Sequence, residues 1–131
     1  MSLIEALITV AISGLIAMLA FPAMDRAWDS SRQTGAATLL TANLRIARAQ
    51  AVRSGTPVAL TVAPDGRRYA IGGTIVDLPD PLVLRLRPAH LTFYPDGSAT
   101  TAQLALAGPR ATQRLRVLPV TGLVVPEGAA R

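Results

Sequence analysis

Nineteen consecutive residues, Ala6 to Met24, carry no charge and are mostly apolar. As an α-helix the run spans about 28 Å at ~1.5 Å per residue, close to the hydrocarbon thickness of a bilayer. Leu7, Ile8, Val10, Ile12, Leu15, Ile16, Leu19 and Phe21 point to every side of that helix. A helix that is apolar all round belongs in a membrane or in a fully buried core. The chain has 131 residues, and the ~100 that remain are too few to wrap such a helix. The run is therefore expected to span a membrane. A cleaved secretory signal fits less well, because no basic residue precedes the run and an acid stands at position 5.

Charge is distributed unevenly around this run. Glu5 is the one charged side chain ahead of Asp25, and all 13 basic residues, every one an Arg, follow Met24. A basic domain suits nucleic acid, anionic lipid or an acidic partner, and it also suits a plain solvated surface, which is the preferred reading. The absence of Cys excludes a disulfide framework and a cysteine-ligated metal. Placing the Arg-bearing side in the cytoplasm, as the positive-inside rule asks, carries little weight for a folded domain of this length.

Glu5 stands at the edge of the apolar span, where a carboxylate is costly unless it finds a partner. Two arrangements satisfy it. It can pair with the free N-terminal ammonium of a neighbouring, staggered chain. It can also sit in the first helical turn, favoured by the helix dipole and facing lipid headgroups. Spacing alone does not choose between them. The segment Met1-Ser2-Leu3-Ile4-Glu5 followed by an apolar run resembles the start of a mature type IV pilin or type II secretion pseudopilin. Ser2, Leu3, Ile4 and Glu5 match that pattern residue by residue, and Met1 stands where Phe is commoner. The resemblance implies that a prepilin peptidase cuts before Met1 and methylates the new amine. It implies that Glu5 docks onto a neighbour's N-terminus. It also implies that Pro22 bends a membrane helix that continues beyond it as one rod.

After a polar stretch from Asp25 to Thr34, the residues Ala37, Leu40, Leu44, Ala47 and Ala51 recur at helical spacing. Arg45 and Arg53 fall on the far side and Arg48 flanks the stripe. Ser54-Gly55-Thr56-Pro57 ends the helix. The period then becomes two. Strands are expected over Val58–Val62, Arg68–Ile71, Leu82–Arg87, Leu91–Tyr94, Ala102–Leu106, Arg114–Val117 and Val120–Val125. Pro64-Asp65-Gly66 and Pro95-Asp96-Gly97 carry turn chemistry, and Gly72-Gly73 reads as a tight turn. The expected fold is α+β and pilin-like: a long N-terminal helix on an antiparallel sheet or small β-sandwich. The expected organisation is a transmembrane helix over 1–24, its continuation packing on the domain over 25–54, and a β-rich domain over 55–131. Leu44 to Ala51, Pro57-Val58-Ala59-Leu60 and Leu91 to Gly97 resemble the minor pseudopilin H and FimT group. That group ends in Thr-Gly-Arg, whereas here Thr121-Gly122 is followed by Leu123.

No residue set argues for catalysis. His90 is alone, no nucleophile elbow is present, and Asp77, Asp80 and Asp96 lack calcium-loop spacing. Arg110, Arg114 and Arg116 form the one candidate nucleic-acid patch, able to bind phosphates without reading sequence. An ordinary surface or a subunit-contact face is the preferred reading, because few aromatics are available for base stacking. By resemblance the chain is expected to be a non-enzymatic minor pseudopilin of a type II secretion system, without cofactor. It would be a single-pass protein of the bacterial inner membrane with its domain in the periplasm. It would assemble with major and minor pseudopilins into a periplasmic filament and touch secreted cargo. The alternatives are a FimT-like minor pilin of a type IV pilus, binding DNA for uptake, and an anchored domain that never polymerises.

Overall fold

The computed structural model describes residues 2–127. It contains one helix, α1 (Leu3–Ser54), followed by eight strands. These are β1 (Val58–Val62), β2 (Arg68–Ile71), β3 (Thr74–Asp77), β4 (Val83–Arg87), β5 (His90–Phe93), β6 (Ala102–Ala107), β7 (Thr112–Val117) and β8 (Val124–Pro126). The chain divides into two compact units, Met1–Arg32 and Gln33–Arg131. From Leu3 onward the first is helical. The second holds the remainder of α1 and all the strands.

In the second unit the strands form two antiparallel sheets, ordered β3-β2-β1-β5 and β4-β6-β7-β8. One face of α1 supplies Gln33, Ala36, Leu40, Leu44, Ala47 and Ala51 to a core shared with the inward side chains of both sheets. The helical stripe predicted from spacing is thus present, with Ala36 fully buried and Ala37 only partly so. Alternation along the strands does the rest. Val58 and Leu60 of β1, Leu91 and Phe93 of β5, and Ala102, Leu104 and Leu106 of β6 point inward. Burying each large apolar side chain among these contributes roughly 1.5–3 kcal/mol before entropy is charged against it.

Both Pro-Asp-Gly segments form the expected turns. Gly66 N–H donates to Ala63 O (2.8 Å) and Gly97 N–H to Tyr94 O (3.0 Å), both with positive φ. Asp65 Oδ1 accepts the Arg67 N–H, and Asp96 Oδ1 accepts the Ser98 N–H. The Ser98 hydroxyl, and then its N–H, hold the Asp96 carboxyl below the usual carboxylate range. Gly66 has a second duty. Its carbonyl accepts the Leu84 N–H (2.8 Å), and a Cβ on it would meet Val83 Cγ1 at 2.5 Å. The β1–β2 turn therefore lies directly on β4, which joins the two sheets.

Two elements differ from expectation. Thr74–Asp77, which is not among the strands expected from the sequence, is an edge strand paired with β2. Val120–Val125 is not a continuous strand. The chain first closes a turn, with Gly122 N–H on Leu118 O and Leu118 N–H on Leu123 O, and β8 begins at Val124. Gly122 is needed in that turn. Its φ is +62°, and a Cβ there would lie 2.6 Å from Gly97 O.

Polar side chains tie the helix to the sheets. Gln33 is buried, and its Nε2 donates to Ala111 O (2.9 Å) and Leu106 O (3.3 Å), holding the β6–β7 turn. Arg48 Nε donates to Gly97 O (3.1 Å). Asn43 Nδ2 donates to Tyr69 Oη (2.9 Å), and burial pushes the Tyr69 hydroxyl above its ordinary value. No buried side-chain polar atom lacks a partner among the described residues.

Candidate functional site

The head of α1 is built by Ser2. Its Oγ accepts the Glu5 N–H (3.3 Å), and its carbonyl accepts the N–H groups of Glu5 (3.1 Å) and Ala6 (3.2 Å). Ser-x-x-Glu is the spacing of a capping box, and the Ser half of it is formed here. Sequence reasoning did not assign Ser2 this role, for which the Ser-x-x-Glu spacing is the available signal. The Glu5 side chain lies at the positive end of the helix dipole, which favours the carboxylate. Among the described residues it makes no hydrogen bond and no ion pair. Met1, the expected site of processing and methylation, lies outside the described residues.

Behind Glu5 the helix presents apolar side chains on every side. Leu7, Val10, Leu15, Leu19 and Phe21 are all exposed, and the most apolar 18-residue window is 0% buried. This is the one helix among the described residues long and apolar enough to cross a bilayer. Its two hydroxyls are satisfied internally, Thr9 Oγ1 on Glu5 O and Ser13 Oγ on Thr9 O, both at 2.8 Å. They therefore add no unmet polar group to the span. Pro22 lies inside the helix, which continues past it to Ser54. Proline has no N–H to offer the Met18 carbonyl, so one rung of the helix is missing there.

The arginines named from the sequence separate. Arg114 and Arg116 share the outer face of β7, where Arg116 pairs with Glu127 (2.8 Å). Arg110 lies in the β6–β7 turn, off the strand. Register adds two arginines that the local pattern did not connect to them. Across β4, β6 and β7, Arg85 lines up with Ala105 and Arg114, and Arg87 with Gln103 and Arg116. His90 opens β5 at the surface. Asp77 is engaged by Arg68, Asp80 by Arg67 and Asp96 by Ser98. No group of three or more metal-ligating side chains converges among the described residues.

A long helix whose exposed first half is apolar, followed by a half packed on two antiparallel sheets, defines a pilin-like subunit. Solved structures of that class share the fold. The minor pseudopilin EpsH of Vibrio cholerae is similar with a TM-score of 0.63 and 14% identity, over 76% of this chain and 99% of that one. The type IV minor pilin FimU of Pseudomonas aeruginosa is similar with a TM-score of 0.59 and 22% identity, over 75% of this chain and 94% of that one. Within the class, residues 36–122 match the family model described as Type II transport protein GspH. The Type II secretion system protein H of Xanthomonas campestris pv. campestris is 33% identical over 134 residues, covering 94% of this chain and 79% of that protein. The chain belongs to the GspH family of structural pseudopilins.

Proposed function

We propose that this protein is an H-type minor pseudopilin whose N-terminal helix is first stored in the inner membrane and then buried among neighbouring helices in a short periplasmic filament. Residues 1–24 are the membrane and filament-core segment, 25–54 the continuing helix, and 55–131 the β-rich domain that faces the periplasm. The work is mechanical, and no step calls for a catalytic group or a cofactor. Pro22 lets the rod bend where it leaves the span. A prepilin peptidase frees and methylates the amine of Met1.

The observation that carries the proposal is the Glu5 carboxylate, without a partner among the described residues at the head of an exposed apolar helix. In a bilayer headgroup layer that charge is tolerated, and in a filament core it has to be compensated. A neighbour's N-terminal ammonium, one step along the filament, supplies the compensation. Other pseudopilins are then the principal partners, and secreted cargo meets the domain.

Deletion and complementation test the secretion role. Loss of the chain is expected to leave secreted enzymes in the periplasm while surface piliation and twitching stay intact, and the intact gene restores secretion. Normal secretion with lost piliation would assign the chain to a type IV pilus instead.

A further inference from the structure

The second sheet carries a feature that the Glu5 and apolar-helix reading leaves unexplained. Its outer face presents Arg85 and Arg87 on β4 and Arg114 and Arg116 on β7, with Gln103 and Ala105 of β6 between them. Strands two apart are separated by about 9.6 Å and alternate residues by about 6.8 Å, so the guanidinium stems form a two-by-two array. The short side chain of Ala105 leaves the middle low, and a depression of about 400 Å³ opens there, lined by Arg85, Arg87, Gln103, Arg114 and Glu127.

The charge on this face is not balanced among the described residues. On the first sheet, Arg67 pairs with Asp80 and Arg68 with Asp77. Among the described residues on this face Glu127 is the one acid, and it serves Arg116. Arg85, Arg87 and Arg114 make no ion pair among the described residues. Four like charges on one rigid sheet repel one another and gain from an external anion. Glu127 shows what that anion looks like: a carboxylate docked at the rim of the depression.

We infer that this face docks an acidic, extended segment of a protein partner, whose alternate carboxylates pair with Arg85, Arg87 and Arg114. In an extended strand, side chains on one side recur about every 6.8 Å, which matches the Arg spacing along β4 and along β7. Guanidinium groups bind carboxylates through two parallel hydrogen bonds, which favours a carboxylate chain over a diffuse counterion cloud. Single-stranded nucleic acid asks in addition for exposed aromatic platforms. Among the described residues of the second unit, the exposed large aromatic is Tyr94, which follows β5 of the other sheet.

The test uses the full chain in detergent micelles and a fluorescent dodecapeptide of alternating Asp and Ser, with anisotropy as the readout. Binding is expected at low salt, weakening as salt rises, with no binding of an Asn–Ser peptide. Arg85→Ser with Arg114→Ser is expected to weaken it by about tenfold or more. Arg67→Ser with Arg68→Ser, on the first sheet, is expected to leave it unchanged. The Arg85 and Arg114 side chains are exposed and make no hydrogen bond or ion pair among the described residues, so the melting temperature is expected to stay the same. Absence of peptide binding, or equal losses from both double variants, would overturn the inference. Tighter binding of matching-length DNA through the same arginines would replace it with a nucleic-acid surface.

Discussion

Replacing Glu5 with Ala is expected to leave the chain in the inner membrane and to cut its incorporation into filaments by about tenfold or more. Membrane insertion depends on the apolar run, and removing a charge at its edge makes insertion easier. Assembly is different, because in the mechanism we propose the helix head moves from a wet headgroup layer into a dry bundle of helices. In that bundle the carboxylate would compensate a neighbour's ammonium, and its removal would leave that ammonium alone. Glu5→Gln separates this from local effects. Gln serves equally well at the third position of a capping box, so the helix start is kept and only the charge is lost. Equal loss of incorporation for Ala and Gln, quantified by crosslinking to the major subunit, is the expected result. Retention by Gln would reduce Glu5 to a helix-capping residue.

Leu44→Ala is expected to destabilise the β-rich unit by about 3–4 kcal/mol. Leu44 is 0% exposed, in the middle of the helical stripe that the core is built around. The substitution removes three buried carbons and leaves a cavity that rigid strands on both sheets cannot fill. Small domains have only about 5–15 kcal/mol in total, so the loss is a large share of what holds the unit together. Urea titration of the full chain in detergent would show a lower midpoint with the slope unchanged. Ile46→Ala, two residues along and 60% exposed, is the control, expected to stay within about 0.5 kcal/mol.

The helix, six of the eight strands and both Pro-Asp-Gly turns were legible because each carries a local signal. Leu40, Leu44, Ala47 and Ala51 recur at 3.6-residue spacing because one face is buried. Strand β3 left no such imprint. It is an edge strand with Thr74 and Ile75 exposed, so no buried face forces its side chains to alternate. Val120–Val125 misled for the opposite reason. Its apolar residues suggested a strand, while Val120 lies exposed in a turn that Gly122 closes.

The polar parts of the fold were harder to foresee. Gln33 sits in a mostly polar stretch, and its carbonyl partners lie 73 and 78 residues away. The arginine face has the same origin. Arg85, Arg87, Arg114 and Arg116 each mark the outer side of a strand, and only the order β4-β6-β7 makes them one surface. Glu5 stands out in the sequence because a lone acid before an apolar run is costly, and its role in assembly is what the Glu5→Ala variant tests.

The central claim is that the apolar span packs against other pseudopilin helices and does not merely anchor the chain. A photoreactive amino acid placed at Ile12, irradiated in cells, tests it most directly. The account predicts protein adducts to other pseudopilins that disappear when Glu5 is changed to Ala. Adducts to lipid alone, or protein adducts that persist without Glu5, would contradict it and leave a membrane-anchored domain that does not polymerise.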